Sequence, residues 1–465
     1  MERISHTSNY TGLLQDKRLE KRASMIAQSL LLSRTASVHG ATQYEAEQKG
    51  FYRFLDNENV SEDILITELT NRCSKNVVNR DIIVVQDTSS FGLNHNSKNI
   101  KQGSGVGFVG NKQGVGFLAH CSLVVDAHSE TMLGFGDVQL WHREEDKANN
   151  TTKVYKKQPI EEKESYKWIK ASQRSKDVLT RARSITIIED REGDIYEQFC
   201  SIPDEKTQLL IRNRDNRKLR DGSKLHDVLK QTKSLGEYTI ALYGDLRQEK
   251  VKRVATVEVK AIAVDIQKPT SVKNKDVPEH LTLYAVEVQE KNSTRKDRIC
   301  WRLLTTQVVK TYEEAIAIVA KYKLRWYIEQ LFRLLKKQGF QIEDTQLESG
   351  WAIRKLLVLL LNTTIRLMQL YLAYDVEESQ PIEEVFDEEE IKCLQTIDDK
   401  QIKKTSKTLN PFNPKKLSWA SWIIARLGGW KGNNKQRKAG PLIIKRGFEK
   451  FEMIYEGWKM AINST

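Results

Sequence analysis

Residues 81–89 read Asp-Ile-Ile-Val-Val-Gln-Asp-Thr-Ser, and at this stretch the chain changes character. Ile82 to Val85 is an unbroken β-branched run, with none of the alternation of a half-exposed strand. It suits a strand covered on both faces, as in a sheet flanked by helices. The run ends in Asp87. Arg183–Asp194, RSITIIEDREGD, repeats the design, with Ile185, Ile187 and Ile188 leading into Asp190. Two buried strands that each deliver a carboxylate put both acids on one rim, where ligands sit in open α/β sheets. Strand-end aspartates are also common caps, so the pair gains meaning only beside a third group.

That group lies in Tyr322–Lys336, YKLRWYIEQLFRLLK. On one continuous α-helix, at about 100° per residue, Tyr322, Arg325, Glu329 and Lys336 fall within an arc of roughly 60°. Leu324, Ile328, Leu331 and Leu335 form an apolar stripe on the other side. The polar face offers a carboxylate for a metal ion, and two cations and a phenol for phosphate oxygens. Read alone, it is equally an amphipathic surface helix with an Arg325–Glu329 i,i+4 pair. Asp87, Asp190 and Glu329 together would form a hard oxygen site for Mg²⁺ or Mn²⁺, and no thiolate or histidine cluster favours zinc. Two ions about 4 Å apart, bridged by Asp87, would activate a water or 3′-hydroxyl and stabilise the leaving oxygen. Arg325 and Lys336 would neutralise phosphate charge, and Tyr322 would donate to a phosphate oxygen.

The 465 residues predict two or three domains. A net charge of +13 points to a polyanion such as nucleic acid. Five scattered cysteines form neither a disulfide framework nor a zinc motif, and MERISHTSNYTGLL has no signal-peptide core. A reducing cytoplasm and no membrane partner are the expectation. The apolar run Leu356–Leu361 is too short to span a bilayer and reads as part of a buried helix.

Residues 1–66 read as helical, with Asp16 capping the first helix and Ser61 a third. Lys17, Arg18 and Arg22 on the first helix read as a solvated face or as part of a DNA-reading module. Gly105–Gly110 matches a dinucleotide pattern but lacks the flanking strand and helix, so it reads as a loop between strands. His120, within FLAHCSLVVD, reads as a satisfied core histidine. Residues 206–306 are strand-rich and read as an antiparallel insertion, with Arg212, Arg214 and Arg217 in a basic cluster suited to phosphates. Trp351–Tyr374 is a long apolar helix. The acidic run Asp375–Glu390 marks a boundary, after which residues 373–465 form a helical domain, basic at Lys403, Lys404, Lys407, Lys415 and Lys416. The expected architecture is α/β: a catalytic unit over 67–372 between helical terminal domains.

Tyr322-x2-Arg325-x3-Glu329-x6-Lys336 resembles the signature helix of bacterial cut-and-paste transposases of the insertion-sequence-four group, closest to the transposon-five type. Asp87-Thr88-Ser89 and Asp190-Arg191-Glu192-Gly193-Asp194-Ile195 are similar to that family's acidic motifs. Gly50–Leu55 is similar to its N-terminal domain, and Trp419–Gly429, WASWIIARLGG, to its dimerisation domain. The resemblance implies a ribonuclease-H-like mixed sheet with flanking helices and a β-rich insertion. It implies nicking, hairpin formation, hairpin opening and strand transfer at one metal site, within a dimer bound to double-stranded transposon-end DNA and target DNA. Trp301 matches the family tryptophan that stacks on a flipped base; Arg214, in the basic segment, and Trp326, on the signature helix, join it as DNA contacts.

Three other classes share parts of this pattern. A nuclease on the same fold needs the carboxylates but no dimerisation domain. A DNA-binding regulator needs only the basic clusters. A carboxylate-pair glycosidase needs neither positive charge nor metal.

Overall fold

The computed structural model describes residues 8–33, 35–94, 97–101, 103–109, 114–144, 158–242, 253–295, 298–374, 376–401, 409–431 and 439–463. Helices α1 (Lys17–Ser33), α2 (Glu45–Leu55) and α3 (Glu62–Asn76) come first. α1 and α3 begin where the sequence supplies an acceptor. Asp16 takes the Arg18 amide at 2.8 Å, and Ser61 Oγ takes that of Ile64 at 3.2 Å. At Gly50 of α2 the Arg22 guanidinium of α1 lies where a β-carbon would project, so the two helices meet closely there.

Strands β1 (Asp81–Gly92), β2 (Gly107–Phe108), β3 (Val115–Asp126) and β4 (Met132–Trp141) follow, then α4 (Tyr166–Val178), β5 (Ser184–Glu189), α5 (Tyr196–Ser201) and β6 (Thr207–Arg212). The central order is β4-β3-β1-β5-β6, with β4, β3 and β1 antiparallel and β1, β5 and β6 parallel. This is a ribonuclease-H-like mixed sheet. After α6 (Leu225–Gln231), strands β7 (Gly236–Leu242), β8 (Arg253–Gln267), β9 (His280–Glu290) and β10 (Cys300–Thr305) extend it, β10 lying antiparallel on β6. The expectation that the strand QLLIRN belongs to the antiparallel insertion is corrected here. β6 pairs in parallel with β5, from Ile185↔Thr207 to Glu189↔Ile211. The crossover through α5 reverses the chain before β6, a fact that a short apolar run cannot carry in its composition.

Helices α7 (Tyr312–Lys323) and α8 (Trp326–Arg333) follow, the latter running into a π-helical turn, Leu334–Gln338. The expected single helix from Tyr322 to Lys336 is therefore broken twice. Leu324, Arg325 and Tyr327 donate i→i−3 bonds to Lys321, Tyr322 and Leu324, which tightens the chain between α7 and α8. The apolar stripe survives, with Leu324, Ile328, Leu331 and Leu335 all buried.

The last helices are α9 (Gly350–Ala373), α10 (Glu388–Gln401), α11 (Leu417–Leu427) and α12 (Pro441–Asn463). α9 is the axis of the molecule: α1, α2, α3, β4, α8, α11 and α12 all pack on it. Among the described residues it is the one helix apolar and long enough to cross a membrane, and most of it is buried inside the fold. Its polar residues tie the terminal helices to the sheet. Lys355 donates to the Leu55 and Asn57 carbonyls at 2.8 Å, Arg354 to Glu62 at 2.7 Å, and Arg366 pairs with Glu390 and Glu452. One apolar core runs from Leu30 and Phe54 through Leu357 to Ile423 and Phe448. The acidic run after α9 is likewise no bare linker, since Ile382, Val385 and Phe386 are buried in that core. Lys403, Lys404 and Lys407 lie outside the described residues.

Candidate active site

The period of two along a strand places the acids. Ile83 and Val85 of β1 enter the core beneath α8 and α9, while Ile82 and Val84 face α4. Asp87 therefore falls on the α8 side. In β5, Ile188 faces that side and Ile185 and Ile187 the other, so Asp190 joins Asp87. The last parallel pair is Val85↔Ile188, and both aspartates lie two residues beyond it on neighbouring chains. Against expectation β1 does not end at Asp87: it continues to Gly92 against β3. What ends is its pairing with β5, and that opens the rim.

Arg325 joins the third carboxylate to this rim. Its Nη1 donates to Asp87 Oδ2 at 3.2 Å, and its Nη2 donates to Glu329 Oε1. Burial pushes the Asp87 carboxyl up to about 6, with Arg325 opposing and the charges of Asp190 and Glu329 reinforcing the rise. Asp87, Asp190 and Glu329 are thus close enough to feel one another, and Asp87 and Arg325 are each about four-fifths enclosed. Tyr322, buried at the end of α7, is raised by burial and sits in the field of Arg325, Arg212 and Asp190. The Trp301 indole meets its ring edge to face at 5.7 Å. Trp326, 45% exposed, begins α8 with its ring against that of Tyr327. Lys336, carried by the π-turn, donates to the Ser90 carbonyl and lies 4.9 Å from the Phe91 ring. It braces the end of α8 on β1.

A buried polar layer lies behind the acids, which the sequence reading did not foresee. His120 Nδ1 meets Thr88 Oγ1 at 2.9 Å, and Gln86 Nε2 donates to Ser172 Oγ at 3.1 Å. Ser172 Oγ donates in turn to Glu189 at 3.1 Å. His120 is fully enclosed and kept neutral by burial, as expected of a core histidine. Burial also drives Glu189 well above the usual carboxylate range. Glu189 packs so closely under Gly193 that any side chain there would overlap its carboxyl group. The sequence signal was available: Glu189 sits in phase with Ile185 and Ile187, at a core position.

The basic cluster divides. Arg212 ends β6 beside Tyr322, and Arg214 is exposed and pairs with Asp215. Arg217 is corrected: its guanidinium is buried against Asp194 and cannot serve as a free phosphate contact. Lys17 and Arg18 are exposed on α1, Arg18 paired with Asp16, while Arg22 is half-buried against α2.

The donor set fits a hard divalent cation, being three carboxylates and nothing softer. Among the described residues no three acidic, His or Cys side chains are already drawn together tightly enough to hold an ion. At the rim the Arg325 guanidinium stands between Asp87 and Glu329, so two of the carboxylates already share one cation.

A mixed sheet of this order, with acids from two adjacent strands and a facing helix, defines a ribonuclease-H-like phosphoryl transferase. The family model described as Transposase DDE domain matches residues 132–365, and the one described as Transposase DNA-binding matches residues 11–60. The chain belongs to the DDE transposases, whose chemistry depends on divalent metal. The first match begins at β4, so it holds Asp190 and Glu329, whereas Asp87 joins them on geometry. A cryo-EM structure of a piggyBac transposase synaptic complex with hairpin DNA is also similar, at 9% identity, 96% coverage of this chain, 73% of that chain and a TM-score of 0.36. That likeness is too loose to add to the sheet order.

Proposed function

We propose that this chain is a cut-and-paste transposase of the insertion-sequence-four group, transposon-five type, acting in the bacterial cytoplasm as a dimer on its transposon ends. Asp87, Asp190 and Glu329 would hold Mg²⁺ or Mn²⁺, as two ions. The ions supply Lewis acidity and an activated oxygen nucleophile. Arg325 then turns from its carboxylates to a phosphate oxygen, as its planar fork allows, and Tyr322 donates to a second. Trp301 and Trp326 offer faces to an unstacked base. Arg212 and Arg214 hold the backbone beside the cut, and Lys17, Arg18 and Arg22 belong to the segment that reads the end. Each step breaks one P–O bond and forms one. Water leaves a 5′-phosphate and frees a 3′-hydroxyl. That hydroxyl attacks the opposite strand to close a hairpin and release that strand's 3′-hydroxyl. Water reopens the hairpin to a 5′-phosphate and a 3′-hydroxyl, and the 3′-hydroxyl attacks target DNA and releases a target 3′-hydroxyl.

The observation that carries this reading is the Arg325 bridge between Asp87 and Glu329, with Asp190 alongside and Trp301 against Tyr322. It is tested on a duplex bearing the element's end, with Mg²⁺ or Mn²⁺, comparing wild type with Glu329→Ala on denaturing gels. Nicks, hairpins and joined strands that need metal and vanish in the variant are expected. Nicks alone would reduce the protein to a nuclease, and binding without any cut to a regulator.

A further inference from the structure

Asp194 closes the second acidic motif, yet the reaction above gives it no task. Its carboxylate is fully enclosed and turns away from the rim, toward the segment that follows β6. Oδ2 accepts the Arg214 amide at 2.8 Å and Asn213 Nδ2 at 3.1 Å. Oδ1 accepts Arg217 Nε at 3.0 Å and also its Nη2, which reaches the Asp194 carbonyl at 2.8 Å as well. The segment is held from behind too. The Asn213 amide donates to the Arg302 carbonyl at 2.8 Å, and Asn213 Oδ1 meets His226 Nε2 at 2.9 Å. At the other end of the motif, Asp190 caps the turn through the Glu192 amide at 2.8 Å, and Gly193 is pressed onto Glu189. Three residues therefore separate the Asp190 carboxylate from a buried node that grips the Arg217 guanidinium and the Arg214 amide.

An ion pair so enclosed is costly to desolvate and holds only when its hydrogen bonds are complete. Here they are spent on one relationship, the distance between two neighbouring loops. We propose that Asp194 is a positioning residue. With Arg217 it locks the turn carrying Asp190 to the segment carrying Arg212 and Arg214, so that seating of a phosphate on those arginines sets the place of the catalytic carboxylate. The inference rests on the transposase reading, but its first measurement needs only DNA binding.

Affinity of end duplex is measured against KCl for wild type, Asp194→Asn, Arg214→Gln and the two combined, with thermal melts showing that each is folded. Asp194→Asn should flatten the salt slope by roughly 0.9 log unit for each phosphate that is no longer neutralised. The combined variant should lose no more than the greater single loss. Single-turnover cleavage at saturating DNA should fall between roughly 10- and 100-fold, as for a misplaced reacting group. Should Asp194→Asn fail to fold, Arg217→Lys and Arg217→Gln replace it, and Lys should recover part of the rate that Gln loses. A folded variant with wild-type slope and saturating rate would overturn the proposal, as would slope losses that simply add. If wild type binds but never cuts, the transposase reading falls while the slope comparison still stands.

Discussion

β1 carries one aspartate at its start and another midway, where its pairing with β5 has ended, and the two live under opposite electrostatic regimes. Asp81, at the start, is saturated: Arg183 Nε donates at 2.8 Å, Ser184 Oγ at 2.7 Å, and His128 Nε2 meets it at 3.0 Å. These bonds, led by that from Arg183, hold its carboxyl far below the usual range. Asp87, six residues on, is more enclosed, shares one guanidinium with Glu329 and faces Asp190, and its carboxyl is pushed up to about 6. A carboxylate whose oxygens are all answered is a strut. One that crowds with its like around a single arginine is ready to take a more highly charged cation. Electrostatic completeness, not residue type or strand, separates the two.

Exchanging the two aspartates for asparagine tests this most harshly. Asp87→Asn should lower metal-dependent cleavage on the order of 10³-fold, the loss of several kcal/mol of metal-borne stabilisation. Asp81→Asn should leave cleavage of the folded protein unchanged. Equal losses would erase the contrast.

A smaller effect is expected at Gly193, which Glu189 presses from beneath. Gly193→Ala should destabilise by about 1–3 kcal/mol, as overpacking does, read as a shift in the urea midpoint. The Asp190 turn will have proved soft if the midpoint stays put.

Removing the guanidinium sharpens the reading of the rim itself. With Arg325→Gln, Asp87 and Glu329 lose their shared cation, so Mn²⁺ should raise the melting temperature by a few °C more than in wild type. Glu329→Ala should abolish that extra rise. A smaller rise in Arg325→Gln would mean that the arginine helps to load the metal.

The mildest test is at the other end. Asp81 has a folded pKa below its unfolded value near ~3.9, so its contribution is present above that pH and lost as pH falls through the folded value. Arg183→Ala should therefore lower stability modestly at pH 7, and that deficit should shrink as pH falls below ~4, which flattens the loss on acidification. Melts between pH 2 and 7, with ~0.1 M salt to limit screening differences, would show it.

Much of this was legible in the chain. The runs Ile82–Val85 and Ile185–Ile188 announce covered strands, and their carboxyl ends put Asp87 and Asp190 on one rim, while the face the two acids share follows from the register of the sheet. Leu324, Ile328, Leu331 and Leu335 likewise announce the face that α8 buries. Less was legible where the register between distant segments decides. Lys-Leu-Arg-Trp carries no helix breaker, so nothing local marks the tightening between α7 and α8 that carries Arg325 to Asp87, 238 positions away. Arg217 reads like its neighbours until a buried aspartate claims it. The strand QLLIRN reads as antiparallel as readily as parallel, because a strand's composition reports its burial and not the direction of its partner.

The sequence by itself determined which segments are buried, which residue types stand at their ends, and that these suit phosphate and a hard metal, because period and chemistry are local properties. Only the tertiary structure decided that Arg325 spans two carboxylates, that Glu189 underlies Gly193 and that Asp194 grips Arg217. Those pairings depend on angles between elements, and such angles come from close packing of the cores on the two faces of the sheet, to which distant segments of the chain contribute at once.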